Sequence, residues 1–89
     1  MSAAHILVVD DEADIRSTIS DILTDEGYAV TVAGDAADAR REVQRAAPDL
    51  ILLDVWMPDI DGITLLREWT DAGTPDCPVV ILSGHGTVE

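Results

Sequence analysis

Four short apolar runs punctuate the chain, and each is bounded by polar or turn-forming residues. Three of the runs are continuously apolar, which is typical of parallel strands covered on both faces. The remaining run alternates larger apolar side chains with alanine and threonine, which favours a half-covered edge strand. The predicted strands are His5–Val9, the alternating run 28–33, then 50–53 and Val79–Leu82.

The segments between the runs have helical spacing. In the first segment Ile15, Ile19 and Ile22 recur at helical intervals, and Gly27 follows where a C-terminal cap is expected. The second helix is predicted to begin after Asp35 as N-cap and to end before Pro48. The third helix is predicted at about 63–72, with Asp61 as N-cap and Gly73 at its end. The side chains of the second and third helices that are predicted to face the core are Ala36, Ala39, Val43, Ala46, Leu65, Leu66 and Trp69.

The alternation of strands and helices predicts an α/β fold. We expect one domain over residues 1–89, with a doubly wound parallel sheet in the order 2-1-3-4, right-handed crossovers and helices on both faces. In such sheets, ligands bind outside the carboxyl ends of the strands. The residues that follow the strands therefore become the candidate site.

Three acids and a hydroxyl follow the three continuously apolar strands: Asp10 and Asp11 after the first, Asp54 after the third and Ser83 after the fourth. Carboxylates clustered at one edge repel one another, and a divalent cation removes this repulsion. Oxygen ligands favour Mg²⁺, with Mn²⁺ also possible, whereas Zn²⁺ prefers the histidine or cysteine ligands that are missing at this spacing.

Asp54 is the best candidate for a nucleophile, because it follows the central third strand and an aspartate beside a cation can attack phosphorus. Asp10 and Asp11 are predicted to hold the metal. The hydroxyl of Ser83 is predicted to bond a phosphoryl oxygen.

Simpler roles exist for each acid. Asp10 and Asp11 are also good helix caps, and Asp59 and Asp61 are expected in a solvated turn. Two further alternatives fit the pattern less well. The first is an EF-hand calcium loop from Met57 onward, whose positions are matched by Asp59, Asp61, Gly62 and Glu68, but Met57 stands where an acid is required. The second is a phosphatase of the haloacid-dehalogenase type, which requires a second acid where the chain has Trp56.

The charge is strongly negative: eighteen acidic residues and five basic ones give a formal net charge of −13. Such a field argues against direct binding of nucleic acid or an anionic membrane and favours a cation or a basic protein surface. The single cysteine, Cys77, excludes an internal disulfide, and no stretch is long enough for a membrane span. We therefore expect a cytoplasmic location.

Three motifs, "ILVVDDE", "LILLDVWMPDIDG" and "VVILSGHG", closely resemble the receiver domain of bacterial two-component response regulators. The resemblance covers the chain from His5 onward and implies a flavodoxin-like fold. It implies that Asp54 accepts a phosphoryl group from the phosphohistidine of a sensor histidine kinase, and that Ser83 occupies the switch position. It further implies that Asp11 binds Mg²⁺ directly, that Asp10 does so through water, and that the backbone carbonyl of Trp56 is another ligand.

The "SGHG" segment resembles regulators of the nitrogen-regulation (NtrC/NtrX) type, which act in transcription. We expect no enzymatic turnover beyond slow self-dephosphorylation.

The sequence departs from the family pattern after the fourth strand. The chain ends at Glu89 without the family's fifth strand and last helices, and it contains no lysine for the phosphoryl group. Its five arginines, Arg16 among them, fall on predicted helices, so we expect none at the strand ends. The alternative function is therefore a phosphorylation-impaired interaction or dimerisation module. We also expect self-association through the exposed edge of the fourth strand.

Overall fold

The computed structural model of the protein describes residues 3–55 and 61–82. They form four strands and three helices in strict alternation, as the sequence predicts. The elements are β1 (His5–Val9), α1 (Ala13–Asp25), β2 (Ala29–Ala33), α2 (Ala36–Arg45), β3 (Leu50–Asp54), α3 (Gly62–Ala72) and β4 (Val79–Leu82).

The four strands form one parallel sheet in the order β2-β1-β3-β4. This order confirms the prediction and places β1 and β3 in the interior of the described sheet. The register pairs Val9 with Ala33 on one side and with Leu53 on the other, so these strands finish level with one another. The carboxyl ends of β1 and β3 therefore meet at one edge.

The main core lies between one face of the sheet and the helices α2 and α3. Alternate residues of β1 and β3 point to this face, because successive side chains of a strand point in opposite directions. Helix α2 contributes small residues, which lets it approach the sheet closely, and α3 contributes larger ones. The buried residues of this core are Leu7, Val9, Ala33, Ala36, Ala39, Ile51, Leu53, Leu65 and Trp69.

The opposite face of the sheet is covered less completely. Helix α1 packs against β1 and β2, yet it has no buried residue, and Ile22 is 57% exposed. The apolar spacing thus predicted this helix correctly, although its apolar side chains are only partly covered. Val80 of β4 is 45% exposed, so the expectation that β4 is covered on both faces is wrong for the described residues.

Strand β2 is the half-covered edge strand that its alternating pattern predicts. It begins at Ala29, one residue later than expected, and Tyr28 before it is exposed. Val32 is exposed and Ala33 is buried, so the better-covered end of β2 lies beside the end of β1.

Two predicted helix caps are confirmed at α2 and α3. The carboxylate of Asp35 accepts a hydrogen bond from the amide of Asp38 at 2.8 Å, and Asp61 accepts one from the amide of Thr64 at 2.8 Å. These bonds satisfy amides that have no partner within the helix. The bonds from Thr64 also lower the pKa of Asp61. At the other end of α3, Gly73 has a φ of 73°, the left-handed conformation that favours glycine.

An ion pair joins α2 to α3. Arg40 donates two hydrogen bonds to the carboxylate of Glu68, at 2.8 and 2.7 Å, and this pairing lowers the pKa of Glu68. The EF-hand alternative requires Glu68 as a calcium ligand and a helix before the loop. It is wrong on both counts, because Glu68 binds Arg40 and the preceding element is the strand β3. Within the described part of the chain, no helix is long and apolar enough to cross a membrane.

Candidate metal and phosphoryl site

Three carboxylates meet at the carboxyl edge of the sheet. Asp10 and Asp11 follow β1, and Asp54 is the last residue of β3. Each of the three offers a carboxylate oxygen, and these oxygens all lie within 4.8 Å of one another. We call this group the acidic cluster. The structure thus brings together three of the residues that the sequence singled out, while Trp56, Asp59 and Ser83 lie outside the described residues.

The neighbouring strands β1 and β3 place the acidic cluster. Val9 pairs with Leu53, so the next residues along the two strands, Asp10 and Asp54, lie side by side. Asp10 is 3% exposed and Asp54 is 1% exposed, whereas Asp11 is exposed to solvent. The cluster therefore has two buried acids and opens to water on the side of Asp11.

Asp10 is held by hydrogen bonds to three different parts of the chain. Its amide donates to the carbonyl of Ala33 at 3.1 Å, and its carboxylate oxygen Oδ1 accepts from the amide of Glu12 at 2.9 Å. Its carbonyl accepts from the guanidinium of Arg16 at 2.7 Å. The N-cap of α1 is Glu12, without a side-chain bond, so neither Asp10 nor Asp11 occupies the capping position.

The contact with Arg16 corrects the expectation that no arginine lies at a strand end. Arg16 starts from the first turns of α1, but side chains of a helix point back toward its N-terminus, and this one is long enough to reach the end of β1. Arg40, Arg41 and Arg45 instead pair with acids of α2 and α3. The short spacing between Asp10 and Arg16, six positions along the chain, permits this contact but does not specify it.

Gly62 is a second residue whose role sequence reasoning missed. A Cβ atom there would overlap the carbonyl oxygen of Asp54 and would lie 2.9 Å from the Cα of Val55. The amide of Gly62 donates to the carbonyl of Val55 at 2.8 Å. The start of α3 therefore packs directly on the backbone that carries Asp54. The pair Asp61 and Gly62 indicated only a turn and a helix cap.

The acidic cluster fits a hard divalent cation. All of its ligand atoms are carboxylate oxygens, which Mg²⁺ and Mn²⁺ prefer, and the group contains no histidine or cysteine for Zn²⁺. Mg²⁺ keeps several of its waters when bound, and the exposure of Asp11 leaves room for them. Two unit charges 4.8 Å apart repel by about 3.5 kcal/mol at an effective dielectric constant of about 20, so a bound cation would relieve a substantial repulsion.

Comparison with known proteins assigns the chain and its fold to one class. The protein-family model of the response regulator receiver domain matches residues 6–89 of this chain. The chain belongs to this family.

A nitrogen assimilation regulatory protein is among the similar proteins. The nitrogen assimilation regulatory protein NtrX of Azorhizobium caulinodans is 44% identical over 89 residues, which are 98% of this chain and 19% of that protein. The crystal structure of the receiver domain of NtrX from Brucella abortus is 46% identical with a TM-score of 0.82, covering 91% of this chain and 68% of that one. These similarities agree with the predicted resemblance to the nitrogen-regulation type.

The fold extends to more distant receivers. The chemotaxis protein CheY4 of Vibrio cholerae is 31% identical with a TM-score of 0.86, covering 97% of this chain and 72% of that one. The flavodoxin-like fold predicted from the sequence is thereby confirmed. The chain spans 19% of the length of the curated NtrX relative.

Proposed function

We propose that this receiver domain accepts a phosphoryl group on Asp54 from the phosphohistidine of a sensor histidine kinase, in a reaction that requires Mg²⁺ at the acidic cluster. The observation that supports this most directly is the meeting of Asp10, Asp11 and Asp54 at the carboxyl edge of the sheet. A family membership that covers nearly the whole chain supports the same role.

The chemistry follows from the positions of the three acids. An oxygen of Asp54 attacks phosphorus, the bond from phosphorus to the imidazole nitrogen breaks, and the imidazole leaves with the electron pair and takes up a proton. Asp10, Asp11 and Asp54 would hold the cation, which supplies charge neutralisation at the phosphoryl oxygens. Because Asp54 is buried and Asp11 is exposed, the donor approaches from the side of Asp11.

Two more residues complete the proposed site. Ser83 follows Leu82, the residue of β4 that pairs with Asp54, and we assign its hydroxyl to bonding a phosphoryl oxygen. We assign the backbone carbonyl of Trp56 as a further metal ligand, on the family resemblance. Asp10 would contact the metal through water and Asp11 directly.

The wider setting is part of the same proposal. The domain transmits a signal and turns over no substrate beyond slow loss of its own phosphoryl group. It would act in the cytoplasm, where kinases draw on ATP, as the regulatory part of a longer transcription regulator. The match to part of a nitrogen assimilation regulatory protein supports this setting. With a net charge of −13, the domain itself would not contact nucleic acid directly.

Treatment with acetyl phosphate tests the proposal without a cognate kinase. With Mg²⁺ present, we expect the protein to gain the mass of one phosphoryl group, and we expect no gain when EDTA removes the cation. Peptide mapping should place the group on the peptide that contains Asp54. A protein that folds and binds Mg²⁺ but gains no mass would leave the dimerisation module as the better function.

Magnesium is expected to stabilise the folded protein. A ligand that binds only the native state at about 100 times its dissociation constant adds about 2.7 kcal/mol to the free energy of unfolding. We therefore expect millimolar Mg²⁺ to raise the melting temperature, as measured by circular dichroism. The variant Asp11→Asn should lose most of this rise, whereas Glu12→Gln, which removes a neighbouring acid outside the acidic cluster, should keep it. Equal rises in both variants would contradict the assigned ligands.

A second proposal concerns self-association through β4. This strand is at the edge of the described sheet, and Val80 on it is 45% exposed. Unpaired backbone groups and apolar side chains at an edge favour pairing with another copy. We expect sedimentation to detect dimers at high concentration and Val80→Lys to weaken them, with Ile63→Lys on an exposed part of α3 as the control. A monomer at every concentration would contradict this proposal.

A further inference from the structure

We propose that Arg16 is a positioning residue for the acidic cluster: through the carbonyl of Asp10 it fixes the loop that presents Asp10 and Asp11 to the cation. This inference rests in part on the proposed function, since it assigns Arg16 a role in metal binding. It also makes a claim about the metal-free protein, namely that Arg16 orders the loop before any cation binds.

The first support is the bond itself. The guanidinium nitrogen Nη1 of Arg16 donates to the carbonyl of Asp10 at 2.7 Å, and Arg16 is half-buried. Hydrogen bonds from a charged donor are stronger than those between neutral groups. Asp10 is therefore anchored to α1 by this bond, to β2 by its amide and to the following loop by its carboxylate. Releasing the carbonyl would let the peptide after Asp10 rotate, which would redirect Asp11.

The second support is the space that Gly34 leaves for the guanidinium. A Cβ atom on Gly34 would lie 3.0 Å from Nη1 of Arg16 and 3.7 Å from Cζ. The φ angle of Gly34 is not in the left-handed region, so the backbone conformation there does not require glycine. The absence of a side chain at the end of β2 is thus matched to the arginine that lies against it.

The third support is charge. The hydrogen bond of Arg16 goes to a neutral carbonyl oxygen, so this partner does not cancel the positive charge of the guanidinium. That charge lies beside an acidic cluster whose members repel one another. Arg16 therefore favours, before any cation binds, the arrangement in which the carboxylates are already close together; the same charge repels the cation, so the gain in Mg²⁺ affinity comes from the positioning bond and not from the charge. Residues that orient metal ligands in this way affect metal affinity although they do not touch the metal.

The test compares four variants of the chain. Arg16→Met removes the donor and its charge, Arg16→Lys keeps the charge on a shorter side chain, and Gly34→Ala displaces the guanidinium without changing it. Arg45→Met is the matched control, because it removes an equal charge and an ion pair at the far end of α2. Two quantities are measured for each: the Mg²⁺ dissociation constant by tryptophan fluorescence, and the solvent exchange rate of the Glu12 amide by NMR without metal.

We expect Arg16→Met to weaken Mg²⁺ binding by about tenfold, the lower end of what residues that orient metal ligands contribute. The Glu12 amide, which donates to Asp10, should exchange faster in the same variant, while amides of β1 and β3 keep their rates. Arg16→Lys should recover part of both losses, Gly34→Ala should change both in the same direction, and Arg45→Met should change neither.

Two outcomes separate this inference from the proposed function. If Arg16→Met lowers only the melting temperature, with parental Mg²⁺ affinity and Glu12 exchange, the positioning role is wrong and the proposed function stands. If the parent protein does not bind Mg²⁺, the proposed function fails, and the exchange rate of Glu12 still decides whether Arg16 orders the loop.

Discussion

We expect Asp54→Asn to accept no phosphoryl group from acetyl phosphate under conditions in which the parent protein is modified. The amide of asparagine is a poor nucleophile, and neither Asp10 nor Asp11 is proposed as an acceptor. The measurement is the intact mass after incubation with acetyl phosphate and Mg²⁺. The loss of modification should be complete.

The same substitution should stabilise the cation-free protein and should reduce the stabilisation that the cation provides. Without Mg²⁺, removing one of three charges that lie within 4.8 Å relieves a repulsion of about 3.5 kcal/mol per pair, so Asp54→Asn should melt at a higher temperature than the parent. With Mg²⁺, the parent should gain stability and the variant should gain much less. Thermal melts of both proteins with and without the cation measure both effects.

Asp61→Asn is the matched control for both measurements. It removes an acid close in sequence to the site, and asparagine caps a helix about as well as aspartate does. We expect it to be phosphorylated like the parent and to respond to Mg²⁺ like the parent. Modification of Asp54→Asn at another acid would contradict the assignment of the acceptor.

Gly62→Ala should destabilise the protein and weaken its site together. The added Cβ would overlap the carbonyl oxygen of Asp54 and approach the Cα of Val55, and backbone atoms cannot turn away as a side chain can. Forcing extra volume into a packed region costs about 1 to 3 kcal/mol, and we expect the upper end here. Urea denaturation measures this loss. Because the displaced backbone carries Asp54, the affinity for Mg²⁺ should fall as well.

Gly27→Ala separates the loss of stability from the loss of Mg²⁺ affinity. Gly27 has a φ of 96°, and a Cβ atom on it would meet nothing within 4 Å beyond its neighbours along the chain, so alanine there strains only the local backbone. This variant should lose stability and keep the Mg²⁺ affinity of the parent. If Gly62→Ala binds Mg²⁺ as tightly as Gly27→Ala, the contact between α3 and the end of β3 does not influence the site.

The fold was largely predictable because local signals and the global arrangement agree. Uninterrupted apolar runs specified three strands and an alternating run specified β2. Asp35 and Asp61 marked helix starts, and Gly73 marked a helix end. Burial was less predictable. The apolar spacing of α1 identified a helix, but Ile22 on it is 57% exposed, because the extent of cover depends on which elements pack over the helix rather than on the helix itself.

The acidic cluster was predictable from topology, since level strands of a parallel sheet bring Asp10 and Asp54 to one edge. The supporting contacts were not. The reach of Arg16 depends on the direction of a long side chain, and the role of Gly62 depends on a close approach between a helix start and a strand end. Both are details of three-dimensional packing that the spacing of residues along the chain does not specify.

The shallow anchoring of α1 has a consequence for signalling. This helix has no buried residue, and yet it carries Arg16, which bonds the loop of the acidic cluster. A partner protein that binds over the isoleucines of α1 would stabilise this helix and, through Arg16, raise the affinity of the acidic cluster for the cation. Thermodynamic linkage then requires that the bound cation raise the affinity of α1 for that partner by the same factor.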